Sequence, residues 1–181
     1  MPGGGKSTVG RHLARRLNWA FVDADSVIEK RVGSSIRSFF EREGEARFRD
    51  IEEQVVAEVM AGADRSVLAT GGGVVLREAN QLMLREHCVV VYLRSNPEDL
   101  FRRLRHDTKR PLLQVQDPLA RLRDLYAVRD PLYRQTSHFI IETGRPSVPT
   151  LVNMILMQLE LAGVIEATNA LAPAGSASSP R

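Results

Sequence analysis

Met1-Pro2-Gly3-Gly4-Gly5-Lys6-Ser7-Thr8 opens the chain and runs directly into Val9-Gly10-Arg11-His12-Leu13-Ala14-Arg15-Arg16-Leu17. Glycines lack a Cβ, so successive backbone N–H groups can curl inward into an anion-binding nest. Val9, Leu13 and Leu17 fall at i, i+4 and i+8, one stripe of a helix. The unpaired N–H groups and the positive dipole end of that helix point back at the nest. A lysine at the junction reaches terminal phosphates, and the hydroxyl after it can ligate Mg²⁺. Gly3, Gly4, Gly5, Lys6, Ser7 and Thr8 therefore predict a phosphate cradle for a nucleotide. Counted back from Gly5, the full pattern G-x-x-x-x-G-K-[ST] sets its first glycine one position before Met1. This reading thus expects that glycine, and the strand feeding the loop, upstream of Met1. A flexible glycine-rich tag is the bland alternative, and it leaves the adjoining helix unexplained.

The totals bound what such a cradle can serve. At 181 residues, 43% hydrophobic and 26% charged, the chain suits one globular domain with a real core. No apolar run approaches the roughly 18–20 residues of a membrane span, and no signal peptide opens the sequence. The single cysteine, Cys88, cannot form an internal disulfide, which fits a reducing cytoplasm. It opens an apolar run, so a buried structural thiol is expected there. The net charge of +3 suits anionic small molecules as well as nucleic acid. Aromatic residues make up only 6% and do not interleave with a basic patch, which argues against single-strand nucleic-acid binding. His12, His87, His106 and His138 show no ligand spacing, so no zinc site is expected.

Strands and helices alternate along the rest of the chain. Trp19-Ala20-Phe21-Val22 reads as a strand that runs into Asp23-Ala24-Asp25. Polar residues just past a strand's carboxyl end lie at the ligand crevice of an open α/β sheet. One carboxylate can hold Mg²⁺ or its waters, and the other can accept a substrate hydroxyl. The plainer alternative makes Asp25 or Ser26 the cap of the next helix, Val27 to Arg31. A short helix from Ile36 to Glu43 closes at Gly44, and a longer one carries Phe48, Ile51, Val55, Val56 and Val59 at helical period. Arg49 and Glu52 can pair along it, and by composition alone such a pair belongs to a solvated face.

Ser66 to Thr70 forms the next strand and ends in Gly71-Gly72-Gly73. Three glycines permit a close backbone approach to a ligand, where a simple turn needs only one or two. Arg77 to Glu86 is helical with Leu82 expected inward, and Cys88 to Leu93 is a strand buried on both faces. Asn96 caps a helix from Pro97, with Leu100 and Leu104 facing the core. Residues 106–118, bracketed by prolines and dense in cations, are expected to form a mobile lid. Pro118 opens a helix through Tyr133, His138 to Glu142 is the last strand, and a closing helix stops at Gly163. Beyond it, 164–181 is rich in Ala, Pro, Ser and Gly and is expected to be a disordered tail. The alternation implies a parallel sheet covered by helices on both faces.

The ordered motifs resemble the shikimate kinase family, small members of the nucleoside-monophosphate-kinase-like P-loop group. The resemblance spans about residues 1–163. It rests on Gly3 to Thr8, Asp23-Ala24-Asp25, Phe48-Arg49-Asp50-Ile51-Glu52, Gly71-Gly72-Gly73, Lys109-Arg110-Pro111-Leu112-Leu113 and Arg129-Asp130-Pro131-Leu132-Tyr133. It implies a three-layer α/β/α fold with a central parallel sheet, and ATP-dependent phosphorylation of the 3-hydroxyl of shikimate towards aromatic amino acids. By the same resemblance Gly3 to Thr8 hold ATP phosphates, Lys6 meets the terminal ones, and Ser7 and Asp23 serve Mg²⁺. Asp25 would bind substrate hydroxyls and take the proton. Arg49 and Arg129 would grip the carboxylate, with Gly72 completing the ring's contacts. Arg110 would close onto the phosphates with the lid, and Arg145 would lie against adenine. The resemblance leans towards a monomer. Two rivals stand beside it: another small-molecule P-loop kinase, of gluconate or nucleotide type, and a kinase-like sensing module that binds without turnover.

Overall fold

The computed structural model describes residues 1–62, 65–104 and 115–166. The elements in chain order are α1 (Lys6–Leu17), β1 (Ala20–Asp23), α2 (Ala24–Val32), α3 (Ile36–Ala61), β2 (Ser66–Ala69), a 3₁₀ turn (Val74–Leu76), α4 (Glu78–His87), β3 (Val91–Arg94), α5 (Pro97–Leu104), α6 (Pro118–Thr136), β4 (Phe139–Glu142) and α7 (Val148–Leu161). All pairing among the described strands is parallel, as the alternation predicts: Ala20 to Asp23 of β1 align with Ser66 to Ala69 of β2, and Val91 to Arg94 of β3 with Phe139 to Glu142 of β4. The strands form two separate pairs, β1–β2 and β3–β4.

Helices cover both faces. On one side Val9 and Leu13 of α1 pack with Leu151, Val152, Ile155, Leu156 and Leu159 of α7 and with Ile141 of β4. On the other, Val56, Leu84, Leu100, Leu122, Leu125 and Tyr133 bring α3, α4, α5 and α6 into one cluster with Val74 and Val75. A third cluster, Ile28, Phe39, Phe48 and Val55, fastens α2 to α3. Burying such a side chain fully contributes about 1.5–3 kcal/mol. None of the described helices is long and apolar enough to cross a membrane.

The ends of the helices show how the sequence sets the boundaries. Asn18 terminates α1 in the left-handed conformation, at φ 55°. The cap of α2 is Asp23, where sequence suggested Asp25 or Ser26; its carboxylate accepts from the Asp25 and Ser26 amides, and the helix begins three residues earlier than Val27. Asn96 caps α5 by accepting from the Asp99 amide at 2.7 Å, and Asp117 caps α6. Leu82 is 52% exposed, contrary to the inward expectation. The α4 residues that face inward are Asn80 and Leu84, two positions to either side and so on the opposite face, and Asn80 donates to the Val74 carbonyl at 3.0 Å. The β3 strand starts at Val91, three residues after the apolar run begins, and Cys88 is half-buried. Val164 and Ile165 continue past α7, with Ile165 packed on the α1–α7 cluster. The expected tail from 167 onward lies outside the described residues.

The two helices expected around Gly44 form one continuous element with a kink. Gly44 sits at φ 81°, ψ 172°, a conformation essentially reserved for glycine, with open space where a Cβ would point. Gly44→Ala should therefore destabilise the fold by about 1–3 kcal/mol through backbone strain alone. Urea unfolding of the variant measures this directly, and an unchanged midpoint would contradict it.

Candidate active site

Two of the three loop glycines are fixed by backbone geometry. Gly3 and Gly5 adopt φ of 72° and 75°, and a Cβ on Gly3 would meet Leu104 at 2.7 Å. Gly5 is the N-cap of α1, with no side-chain hydrogen bond and no acidic residue in the first turn to compete for the helix N–H groups. The Lys6 ammonium folds back across the loop and donates to the Met1 carbonyl at 2.8 Å. Thr8 is exposed on the first turn of the same helix.

Ser7 and Asp23 meet at the mouth of this loop. The Ser7 hydroxyl donates to Asp23 Oδ2 at 2.7 Å, while Oδ1 caps α2 through the Asp25 amide at 3.1 Å. Asp23 thus does two jobs with two oxygens. The donors gathered there are a hydroxyl and a carboxylate, hard oxygens of the kind Mg²⁺ takes while keeping waters and phosphate oxygens in its shell. Among the described residues no cluster of three or more His, Cys, Asp or Glu could hold a metal alone.

Gly71-Gly72-Gly73 is the hub of the second half. A Cβ on Gly71 would stand 2.8 Å from Glu52 Oε1 and 2.9 Å from Asp25 Oδ1. On Gly73 it would lie 2.2 Å from an Arg49 guanidinium nitrogen, and on Gly72 3.5 Å from both Arg129 Nη1 and the Tyr133 hydroxyl. Five polar side chains from α2, α3 and α6 therefore converge on a backbone that leaves them room. The Tyr133 hydroxyl donates to the Gly72 carbonyl and accepts from the Met1 amino group at 2.9 Å. The chain's first residue is thereby tied to the triplet.

The charges at this hub are buried, which changes their chemistry. Arg49 is 9% exposed and Glu52 1%, and they pair at 2.6 Å; Glu45, nearer solvent, adds a contact at 3.1 Å. The solvated face that composition alone would give this pair is therefore not what the structure has, in line with the place in the site that the resemblance implied for Arg49. Phe48 and Phe40 flank the guanidinium, and the helix carrying it packs on α2. Desolvation raises the Glu52 carboxyl above its ordinary range, against the opposing pull of Arg49, and its Oε1 has no hydrogen-bond partner among the described residues. The Asp25 carboxyl is raised as well, first by burial and then by the Asp23 charge, with Lys6 and Arg49 opposing.

Sequence reasoning named Asp25, Arg49, Gly72 and Arg129 for this place and missed Tyr133 as a participant. Its signal was available: Arg129 and Tyr133 stand four residues apart, on one face of α6. Asp130, between them, turns the other way and ties α6 to β3 through the Tyr92 hydroxyl at 2.9 Å and Arg94 at 3.1 Å. Arg145 is exposed just past the carboxyl end of β4, beside Thr143, whose carbonyl accepts from Arg103. Arg110, and 106–114 of the expected lid, lie outside the described residues.

A phosphate loop, a hydroxyl–carboxylate pair and an arginine-lined glycine hub are what the sequence resemblance called for, and comparison with known proteins decides the family. The family model described as shikimate kinase matches residues 2–160. The chain belongs to the shikimate kinase family. A shikimate kinase of Paracidovorax citrulli is 60% identical over 166 residues, 91% of each chain. One of Ralstonia nicotianae is 53% identical, covering 97% of this chain and 92% of the relative. Among solved structures, the shikimate kinase from Acinetobacter baumannii in complex with shikimate superposes with a TM-score of 0.81 at 42% identity, covering 91% of this chain and 90% of that one. The Bacteroides thetaiotaomicron shikimate kinase gives 0.82 at 30% identity, covering 88% and 94%. As a shikimate kinase family member the chain is a phosphotransferase that draws on ATP and Mg²⁺.

The raised Asp25 carboxyl has a consequence for stability. A carboxyl whose folded pKa lies above its unfolded value destabilises the fold once pH exceeds that unfolded value, and the penalty is complete above the folded pKa. Asp25→Asn removes it. The variant should melt higher than the parent at pH 7, and the gap should shrink to nothing as pH falls towards about 4. Thermal unfolding across that pH range checks the sign.

Proposed function

We propose that this chain transfers the terminal phosphoryl group of ATP to the 3-hydroxyl of shikimate, giving shikimate 3-phosphate and ADP. The observation that carries the proposal is the convergence of Asp25, Arg49, Arg129 and Tyr133 on Gly71-Gly72-Gly73, next to the phosphate loop. In this reading Gly3 to Thr8 hold the phosphates through backbone N–H groups, and Lys6 leaves the Met1 carbonyl to meet the terminal ones. Ser7 and Asp23 are the residues that would hold Mg²⁺. Held there, Mg²⁺ would supply positive charge to offset that of the phosphates.

The acceptor side follows from charge and shape. A ring acid with a carboxylate and several hydroxyls wants planar, paired donors at one end and a carboxylate acceptor at the other. Arg49 and Arg129 meet the first need, Asp25 the second, and the Gly72 backbone approaches the ring where a side chain would block it. A carboxyl raised above its ordinary range suits Asp25 better to taking a hydroxyl proton, because a general base works best when its pKa lies towards the operating pH. The phosphoryl group passes through a loose transition state, so most of the catalysis is positioning and charge stabilisation. Arg110 and Arg145 complete the proposal, the first on the phosphates and the second against adenine.

Steady-state ADP release with shikimate, gluconate and AMP separates this reading from its rivals. Turnover with shikimate alone is expected; release with gluconate or AMP instead would overturn it, and binding without release would favour a sensing module. Asp25→Asn should lower kcat by about 10²–10⁴ with nucleotide affinity retained, and retained turnover would remove the base assignment. Arg49→Lys should raise the shikimate KM by tenfold or more while kcat changes less, since a point charge cannot replace a fork held between Glu45, Glu52 and Gly73. An unchanged KM would move the carboxylate site elsewhere.

A further inference from the structure

The interior of α6 contains a proline, Pro131, between Arg129 and Tyr133. Proline has no N–H to give to the carbonyl four residues back, that of Ala127, and its ring crowds the same carbonyl. The helical ladder is therefore weakest at the two residues that face the glycine hub. Arg129 Nη1 and the Tyr133 hydroxyl each stand 3.5 Å from a Cβ built on Gly72. Something besides the helix's own hydrogen bonds must set the roll of this stretch about its axis.

The helix is pinned at that point from its other side. Asp130, 6% exposed, follows Arg129, so its side chain leaves α6 about 100° further round. Its Oδ1 accepts from the Tyr92 hydroxyl at 2.9 Å and from Arg94 Nε at 3.1 Å, and its Oδ2 accepts from Arg94 Nη2 at 3.4 Å. Both donors belong to β3, so the grip is on the sheet. Arg94 also donates to the Tyr126 hydroxyl at 2.9 Å, one turn earlier on α6, and to Glu142 of β4 at 3.2 Å. The buried Tyr92 ring packs on that of Tyr133 with centroids 4.8 Å apart. Burial and the bond to Asp130 raise the Tyr92 phenol above its ordinary pKa, so it stays a donor. A buried carboxylate is costly unless its oxygens are well paired. Three donor contacts meet that need, at the turn of α6 that lacks a backbone bond of its own.

We propose that Tyr92, Asp130 and Arg94 are positioning residues for the shikimate carboxylate: they fix the roll of α6 at Pro131 and thereby aim Arg129 at Gly72. They act through Arg129, from the sheet side of the helix. The assignment rests on Arg129 as a carboxylate ligand, but the roll of α6 is measurable with no substrate present.

Tyr92→Phe removes one donor while leaving charge and ring in place, and Asp130→Asn turns one acceptor oxygen into a donor facing Arg94. In crystal structures of the substrate-free variants, Arg129 Nη1 should draw away from the Gly72 backbone by about 1 Å relative to the parent. The shikimate KM should rise about fivefold in Tyr92→Phe and about tenfold in Asp130→Asn, with kcat and the ATP KM within about twofold of the parent. Over Arg129→Lys, Tyr92→Phe should change that KM by less than about twofold, because no fork is left to aim, while its loss of Tm persists. Leu122→Val, buried on the same helix ahead of the proline, should lower Tm without moving the KM. Tyr92→Phe, the milder change, carries the test even where Asp130→Asn does not fold. An unmoved Arg129, a KM rise that persists in full over Arg129→Lys, or an equal rise in Leu122→Val would each overturn the proposal. A parent chain that binds no shikimate would overturn the functional reading instead, and the aim of Arg129 in the crystals would still decide this one.

Discussion

The structure depends on one backbone segment that carries no side chains. Just past β2, the space that Cβ atoms on Gly71 and Gly73 would fill is taken by Asp25, Glu52 and Arg49, while Arg129 and Tyr133 lie in contact distance of Gly72. Taking charges out of water costs more than their mutual attraction returns unless their geometry is tight. Here the Arg49–Glu52 pair is held at 2.6 Å beneath Phe48, and Tyr133 stitches Gly72 to Met1. Without the triplet these groups would have nowhere to converge, and α2, α3 and α6 would have no shared polar centre.

From that constraint the division of labour in the fold follows. The α1–α7 layer and the α3–α6 layer hold the strands by apolar packing. The α2–α3 cluster around Ile28, Phe39 and Phe48 is a smaller unit that presents Asp25 and Arg49 from one side. The phosphate loop is anchored to the core through Met1, which is 3% exposed, and through Gly3 against Leu104. Its shape comes from two left-handed glycines, and its position from Lys6 and Tyr133 gripping Met1 at either end. A site assembled this way has fixed walls and a charged floor, suited to a reaction that asks mainly for alignment and positive potential.

Asp23 illustrates how local rules and function share one residue. As an N-cap it satisfies two amides of α2, which any aspartate at that place would do. Its second oxygen faces Ser7, which only the crossing of α1 over β1 brings near. Capping α2 therefore leaves the second oxygen for Ser7, since one carboxylate has two oxygens.

The sequence by itself determined the alternation of strands and helices, the caps at Asn18 and Asn96, the breaks at Gly44 and Gly163, and the phosphate loop, because each of these is written in neighbouring residues. It also named the family, because six motifs in fixed order leave few alternatives. Only the tertiary structure decided that Arg49 and Glu52 are buried, that Leu82 faces out and that Tyr133 belongs to the site. Those facts depend on which elements pack against which, and contacts between residues 61 or 132 positions apart leave no periodic trace in a linear chain.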